Sequence, residues 1–130
     1  MTSIQTQLSV FLDNRPGTLA RACQSLAANG VNILAMCISD TLDHAVIRLV
    51  VDDAKKAVAV LNNLKLPVQE RDVVLIDLLN QPGAIAAIAQ KLAQAGINLE
   101  YAYCASTPSQ TSGALVLRTN NLEETIDVLE

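Results

Sequence analysis

Two motifs, Asn14-Arg15-Pro16-Gly17 and Asn80-Gln81-Pro82-Gly83, place an Asn three residues ahead of a glycine that opens a helical pattern. Glycine lets a bound molecule approach the backbone closely. A helix start offers free N–H groups and a positive dipole end, both suited to a carboxylate. An Asn amide donates and accepts, so it can meet either end of a small zwitterion. Asn32 and Asn98, each opening an apolar strand-like run, form a second pair of candidates. An unbonded amide buried there would cost about 1–3 kcal/mol. Each must therefore bond a ligand or cap local backbone.

Other chemistry is sparse. His44 is the single histidine, follows turn residues Asp40 to Asp43, and has only Cys37 as a conceivable partner across a hairpin. No third orienting group accompanies that pair, so nucleophilic catalysis is not expected. Cys23 falls on an apolar helical stripe and reads as packing. One His and no Cys cluster argue against a transition-metal site. Glu123, Glu124 and Asp127 read as a solvated helix face. Arg15 beside Gly17 superficially suits an anion-binding hydrolase loop, but Gln81 holds the matching place in the second motif.

The elements that position these residues come from an internal repeat. Gly30-Val31-Asn32-Ile33 recurs as Gly96-Ile97-Asn98-Leu99, at the same 66-residue offset as the Asn/Gly motifs. Across residues 14–34, nine positions are identical at that offset: Asn14, Pro16, Gly17, Ala20, Gln24, Leu26, Ala27, Gly30 and Asn32. The hairpins downstream differ by an insertion near Thr107 to Thr111.

Alternation over Gln5 to Leu12 predicts a strand. Pro16-Gly17 opens a helix, with proline expected at its first position. Leu19, Cys23, Leu26 and Ala27 form the expected inward stripe, and Asn29-Gly30 the end. Runs over 31–39 and 45–51 form a hairpin. Asp52-Asp53 caps a second helix reaching Asn63, with Ala57, Val58 and Leu61 inward. Residues 67–71 form a short returning strand. The second repeat follows, with a strand over 73–79, a helix over 83–95 and a hairpin over 97–105 and 113–119. Asn121 and Glu124 resemble a capping box for its last helix.

The expected fold is α+β: two tandem ferredoxin-like βαββαβ repeats, residues 1–71 and 72–130, with helices on one face of antiparallel sheets. The last strand of the second repeat is missing, so the sequence is truncated there or a partner completes that edge. Val73 to Ile76 and Asn32 to Ile38 are apolar on both faces. A bare second sheet face would leave this surface wet, so a homodimer packed sheet to sheet is expected.

Composition agrees with a self-associating domain: 51% of residues are hydrophobic and 17% charged, with a net charge of −4. Scattered Lys and Arg and only three aromatic rings argue against nucleic acid. Three cysteines without a C-x-x-C pair read as reduced thiols of a cytoplasmic protein. Residues 1–10 carry no signal-peptide pattern, and no run reaches the roughly 18 apolar residues of a membrane helix.

Residues 12–19 and 78–85 resemble the first loop of ACT domains, and residues 30–33 and 96–99 resemble the start of that family's second strand. The resemblance covers nearly the whole chain, twice. It implies a regulatory module that binds a small amino acid where two such domains meet, through the loop of one and the second strand of its neighbour. On that reading Gly17, Thr18 and Leu19 hold the carboxylate by their backbone, while Asn14 and Asn32 hold the ammonium or side chain. Gly83, Ala84, Ile85, Asn80 and Asn98 repeat these roles. The family often has a polar or ring residue where this chain has Leu12 and Leu78, a departure that favours an apolar ligand. No cofactor is implied. A non-catalytic regulatory subunit docked on a metabolic enzyme is the alternative expectation.

Overall fold

The structure, a computed structural model, describes residues 2–13, 15–40 and 44–130, and only the backbone of Asp40 and His44. The expected Asp40–Asp43 turn therefore lies largely outside the described residues. Two compact units are present. One holds Thr6–Arg71, and the other Asp72–Glu130 together with the chain's first residues, up to Gln5.

In chain order the elements are β1 (Thr2–Asp13), α1 (Thr18–Ala28), β2 (Ile33–Asp40), β3 (His44–Val51), α2 (Ala54–Asn63), β4 (Val68–Leu79), α3 (Ala84–Gln94), β5 (Leu99–Ala105), β6 (Ser112–Thr119) and α4 (Leu122–Leu129). This is the expected α+β tandem of βαββαβ repeats. In the first unit β3 lies between β2 and β1, antiparallel to both, pairing Val10 with Ile47 and Ile38 with Ile47. The start of β4 follows beside β1, where the Phe11 N–H donates to Pro67 O at 3.1 Å. In the second unit β6 lies between β4 and β5, again antiparallel to both.

In each unit the helices lie on one face of the strands. Leu8, Val10, Leu12, Ile47, Leu49 and Val51 pack with Ala22, Leu26, Ala57, Val60 and Leu61. In the second unit Val74, Ile76, Leu78, Leu115 and Leu117 pack with Leu92. The inward stripe of α1 differs by one position from expectation. Ala22 and Leu26 are buried, while Cys23 is half-buried and Ala27 is exposed. In α2 the buried set is Ala57, Val60 and Leu61, with Val58 at its margin.

The helix ends follow local chemistry. Asp53 caps α2 by accepting from the Lys56 N–H, and Asn121 caps α4 by accepting from Glu124 N–H. At the other end of α1, Gly30 donates to Ala27 O and Val31 to Leu26 O. Gly96 and Ile97 repeat this after α3. These closures need a left-handed residue, and Gly30 and Gly96 supply it at φ 74° and 70°.

Three expectations change. The short strand over 67–71 and the strand over 73–79 are one uninterrupted twelve-residue strand, β4. The last strand of the second repeat is missing, as expected, but no partner is needed beside β4: residues 2–5 of β1 lie there in the second unit. There the Thr2 hydroxyl donates to the Glu130 carboxylate at 2.5 Å. Finally, the sheet face away from the helices is not bare. Gln7, Val50, Val73 and Val116, all on that face, are fully buried in the single chain. Of the two apolar runs that called for a second chain, Val73 is covered without one, whereas Leu34, Met36 and Ile38 stay 44–46% exposed.

Candidate functional site

Each repeat turns from strand to helix through a left-handed glycine. Gly17 precedes α1 at φ 88°, ψ −13°, and Gly83 precedes α3 at φ 89°, ψ −9°. Such a glycine cannot be inside the helix, so Pro16 stands in the turn and not at the expected first helical position. A Cβ at either glycine would meet open space. Backbone conformation, not packing, demands glycine here, and the space in front of the backbone is free.

In the second repeat the Asn80 N–H donates to Thr111 O and the Ala84 N–H to Gln81 O. The amides of Gly83, Ile85 and Ala86 find no partner among the described residues. Neither helix start has a side-chain cap. The sequence expectation named the amides of Gly83, Ala84 and Ile85; the Ala84 amide is occupied by Gln81 O, and the other two stand free at the helix start with Ala86. The Asn80 side-chain nitrogen donates twice within the unit, to Thr107 O at 3.0 Å and Gln110 O at 2.9 Å. Two carbonyls can only accept, so the nitrogen is fixed toward them and Oδ1 is the atom left to accept. A cavity of about 340 Å³ opens here, lined by Leu78, Leu79, Asn80, Gln81, Ala84, Ile85, Cys104, Ala105 and Ser106. Ile85 is 51% exposed.

The first repeat is similar in backbone and different in side chains. Asn14 lies outside the described residues. Thr18 turns its hydroxyl into its own loop, where its one proton is shared between Asp13 O at 2.9 Å and Arg15 O at 3.0 Å. Its amide points to Arg15 O at 3.4 Å. Leu19 packs on the core, so only its amide can face a ligand. A cavity of about 280 Å³ borders this loop, lined among others by Asp13, Arg15, Thr18, Arg21, Lys65 and Pro67.

Asn32 and Asn98 are exposed and precede β2 and β5, so burial does not demand a ligand for them. Their backbones carry a reciprocal clasp. Asn32 N–H donates to Asp52 Oδ1 at 2.9 Å, and Asp52 N–H returns to Asn32 O at 3.1 Å. Asn98 and Asn120 repeat it at 3.1 and 3.3 Å. Both Asn side chains remain without a partner among the described residues. Sequence reasoning missed Asp52 and Asn120 as clasps, although each is an Asx just past an apolar run.

Within one repeat the two candidate groups do not meet. Asp13 pairs with His44 at the start of β3, whereas Ile33 pairs with Val51 at its end. The loop and Asn32 thus stand at opposite ends of the sheet, roughly 20 Å apart at about 3.3 Å per strand residue. Leu79 opposite Ser112 and Leu99 opposite Thr119 give the second repeat the same separation. Leu12 and Leu78 are buried in the two cores. Cys37 stands opposite Arg48, four residues from His44, so the one conceivable Cys/His pair is not aligned by the register. Among the described residues no group of His, Cys, Asp or Glu could hold a metal. No described helix is long and apolar enough to cross a membrane.

Known proteins agree with this architecture. The family model described as "ACT domain pair" matches residues 1–130, and the chain belongs to that family. A solved protein of Bacteroides thetaiotaomicron is 33% identical, with TM-score 0.90, over 98% of this chain and 88% of that one. The ligand-free regulatory subunit of aspartate kinase from Thermus thermophilus shares the fold at 15% identity and TM-score 0.72, over 98% of this chain and 93% of that one. That subunit from Thermus flavus matches at 15% identity and TM-score 0.63, over 99% and 97%. No curated protein matches.

Proposed function

We propose that this protein is a non-catalytic regulatory sensor for a small amino acid, taken up at the glycine-led openings. The observation that carries the reading is at Gly83. Three unpartnered amides suited to a carboxylate lie beside an Asn80 side chain whose spare atom is an acceptor suited to an ammonium. Leu79 and Ile85, both exposed at the rim, favour an apolar ligand side chain. Gly17 with the Leu19 amide forms the corresponding opening of the first repeat.

A ligand that touches both a loop and Asn32 or Asn98 needs two modules, because one module holds them at opposite ends. Side-by-side pairing of antiparallel edge strands from two chains would bring the loop end of one to the Asn end of the other. The edge strand β2 suits this, since Leu34, Met36 and Ile38 are 44–46% exposed along it. We place the homodimer seam there. Ligand binding then biases assembly by its differential affinity for the paired state. The same apolar stripe supports a second reading, in which a metabolic enzyme covers it and this chain is its regulatory subunit.

A melting assay with each common amino acid tests the sensor reading. One chemical class at millimolar concentration raises Tm, and the raised stability follows mass action. A flat panel on a monodisperse dimer would refute it. Aggregation relieved only by a partner protein would favour the subunit.

A further inference from the structure

The cavity of the first unit has no cationic counterpart in the second. Arg15, Arg21 and Lys65 line it, with Asp13 as the one carboxylate. Asp13 engages Arg15 at 3.2 Å, both side chains being well exposed. Arg21 and Lys65 make no ion pair among the described residues, which leaves two positive charges at the cavity unmatched. This occurs in a chain whose net charge is −4 and which has nine Lys and Arg in all. At the 66-residue offset, Gln81 and Ala87 replace Arg15 and Arg21, and no cation lines the second cavity.

The cavity sits on the flank of α1 that faces the turn from α2 to β4, bordered by residues 64–67. Strand β2 is on the far side of β3 from it. It is therefore not the seam assigned above, and it does not involve Asn32. Lys65 adds a further observation. It occupies the left-handed closing position of α2 at φ 59°, donating to Asn62 O while Leu66 donates to Leu61 O. Glycine fills that position after α1 and α3. A lysine there brings a cation to the cavity wall at the expense of backbone comfort.

We propose that this cavity binds a small dianion, of the kind presented by a phosphate monoester or a dicarboxylate. Guanidinium forks from Arg15 and Arg21 meet paired oxygens, and Lys65 contributes a point charge. About 280 Å³ accommodates a compact metabolite and not a nucleotide or a peptide.

The test is calorimetric titration of the full chain with phenyl phosphate and with succinate, at constant ionic strength and with chloride as reference. Neither ligand has an amino group, so the outcome is separate from that of the amino-acid reading. Saturable binding by either ligand is expected, and the one that binds identifies the class. The double variant Arg21→Ala/Lys65→Gly should weaken it by about tenfold or more, while Lys91→Ala in α3 leaves it unchanged. Lys65→Gly suits the left-handed backbone, so loss of binding cannot be blamed on that turn unfolding. Binding unaltered in the double variant, or a response that merely follows bulk salt, overturns the proposal. So does the absence of saturable heat with both ligands.

Discussion

Gly83 and Lys65 show how a single φ angle separates roles at the residue scale. Gly83 at φ 89° faces open space, so Gly83→Ala strains the backbone without a clash. A left-handed Ala costs about 1–2 kcal/mol, part of which is returned by a stiffer unfolded chain. Urea denaturation should show a net loss of about 1 kcal/mol. Lys65 is the converse case. Lys65→Gly should leave stability unchanged or raise it by up to about 1 kcal/mol, since glycine accepts φ 59° without strain. A clear loss would mean that the lysine stem packs in a way that supports the fold. Asn80 is a structural residue as well as a candidate contact. Asn80→Ala removes two hydrogen bonds to the 107–110 loop and should cost about 1 kcal/mol, with faster amide exchange in that loop.

At the scale of elements, the repeat made most of the fold legible. Gly17 and Gly83, Gly30 and Gly96, and the two hairpins recur at matching positions, and the strands and helices lie between them as expected. The misreadings have physical causes. Ala22 and Cys23 are both small and apolar, so the helical period alone did not say which one faces the core. Pro16 fits a first helical turn by its φ, but the left-handed Gly17 after it excludes that place. The alternation placed the start of the first strand at Gln5 and residues 2–4 carried no strand signal of their own, so only the strand order shows residues 2–5 serving β4 of the second unit. Deleting residues 2–5 should therefore destabilise the unit built on 72–130, by about 2 kcal/mol as the pairing beside β4 is lost. Hydrogen exchange in β4 and β6 would report the loss. Protection in the α1 and α2 helices should change far less.

For the whole molecule, the candidate site was only half legible. The loop glycines and both Asn pairs were visible as a duplicated pattern, but their placement at opposite ends of β3 and β6 depends on strand register. The apolar excess was visible too, yet its destination was not. Val50, Val73 and Val116, on the sheet face opposite the helices, are buried in the chain itself, and exposed apolar surface lies along the edge strand, at Leu34, Met36 and Ile38, and near strand ends, at Phe11 and Leu79. Met36→Lys/Ile38→Lys should convert a dimer to a monomer in light scattering, because two added charges cannot be desolvated in a strand-edge seam. A dimer that survives this change would move the seam elsewhere.

In the proposed sensor, unpartnered amides at the glycine-led openings receive the carboxylate of an amino acid. Amide chemical shifts of the labelled full chain, followed while amino acids are added in turn, test it most directly. One class should move the Gly83, Ile85 and Ala86 amides saturably, and Gly83→Ala should weaken the response. If these amides stay still with every amino acid at millimolar concentration, the openings are turns and not receptors.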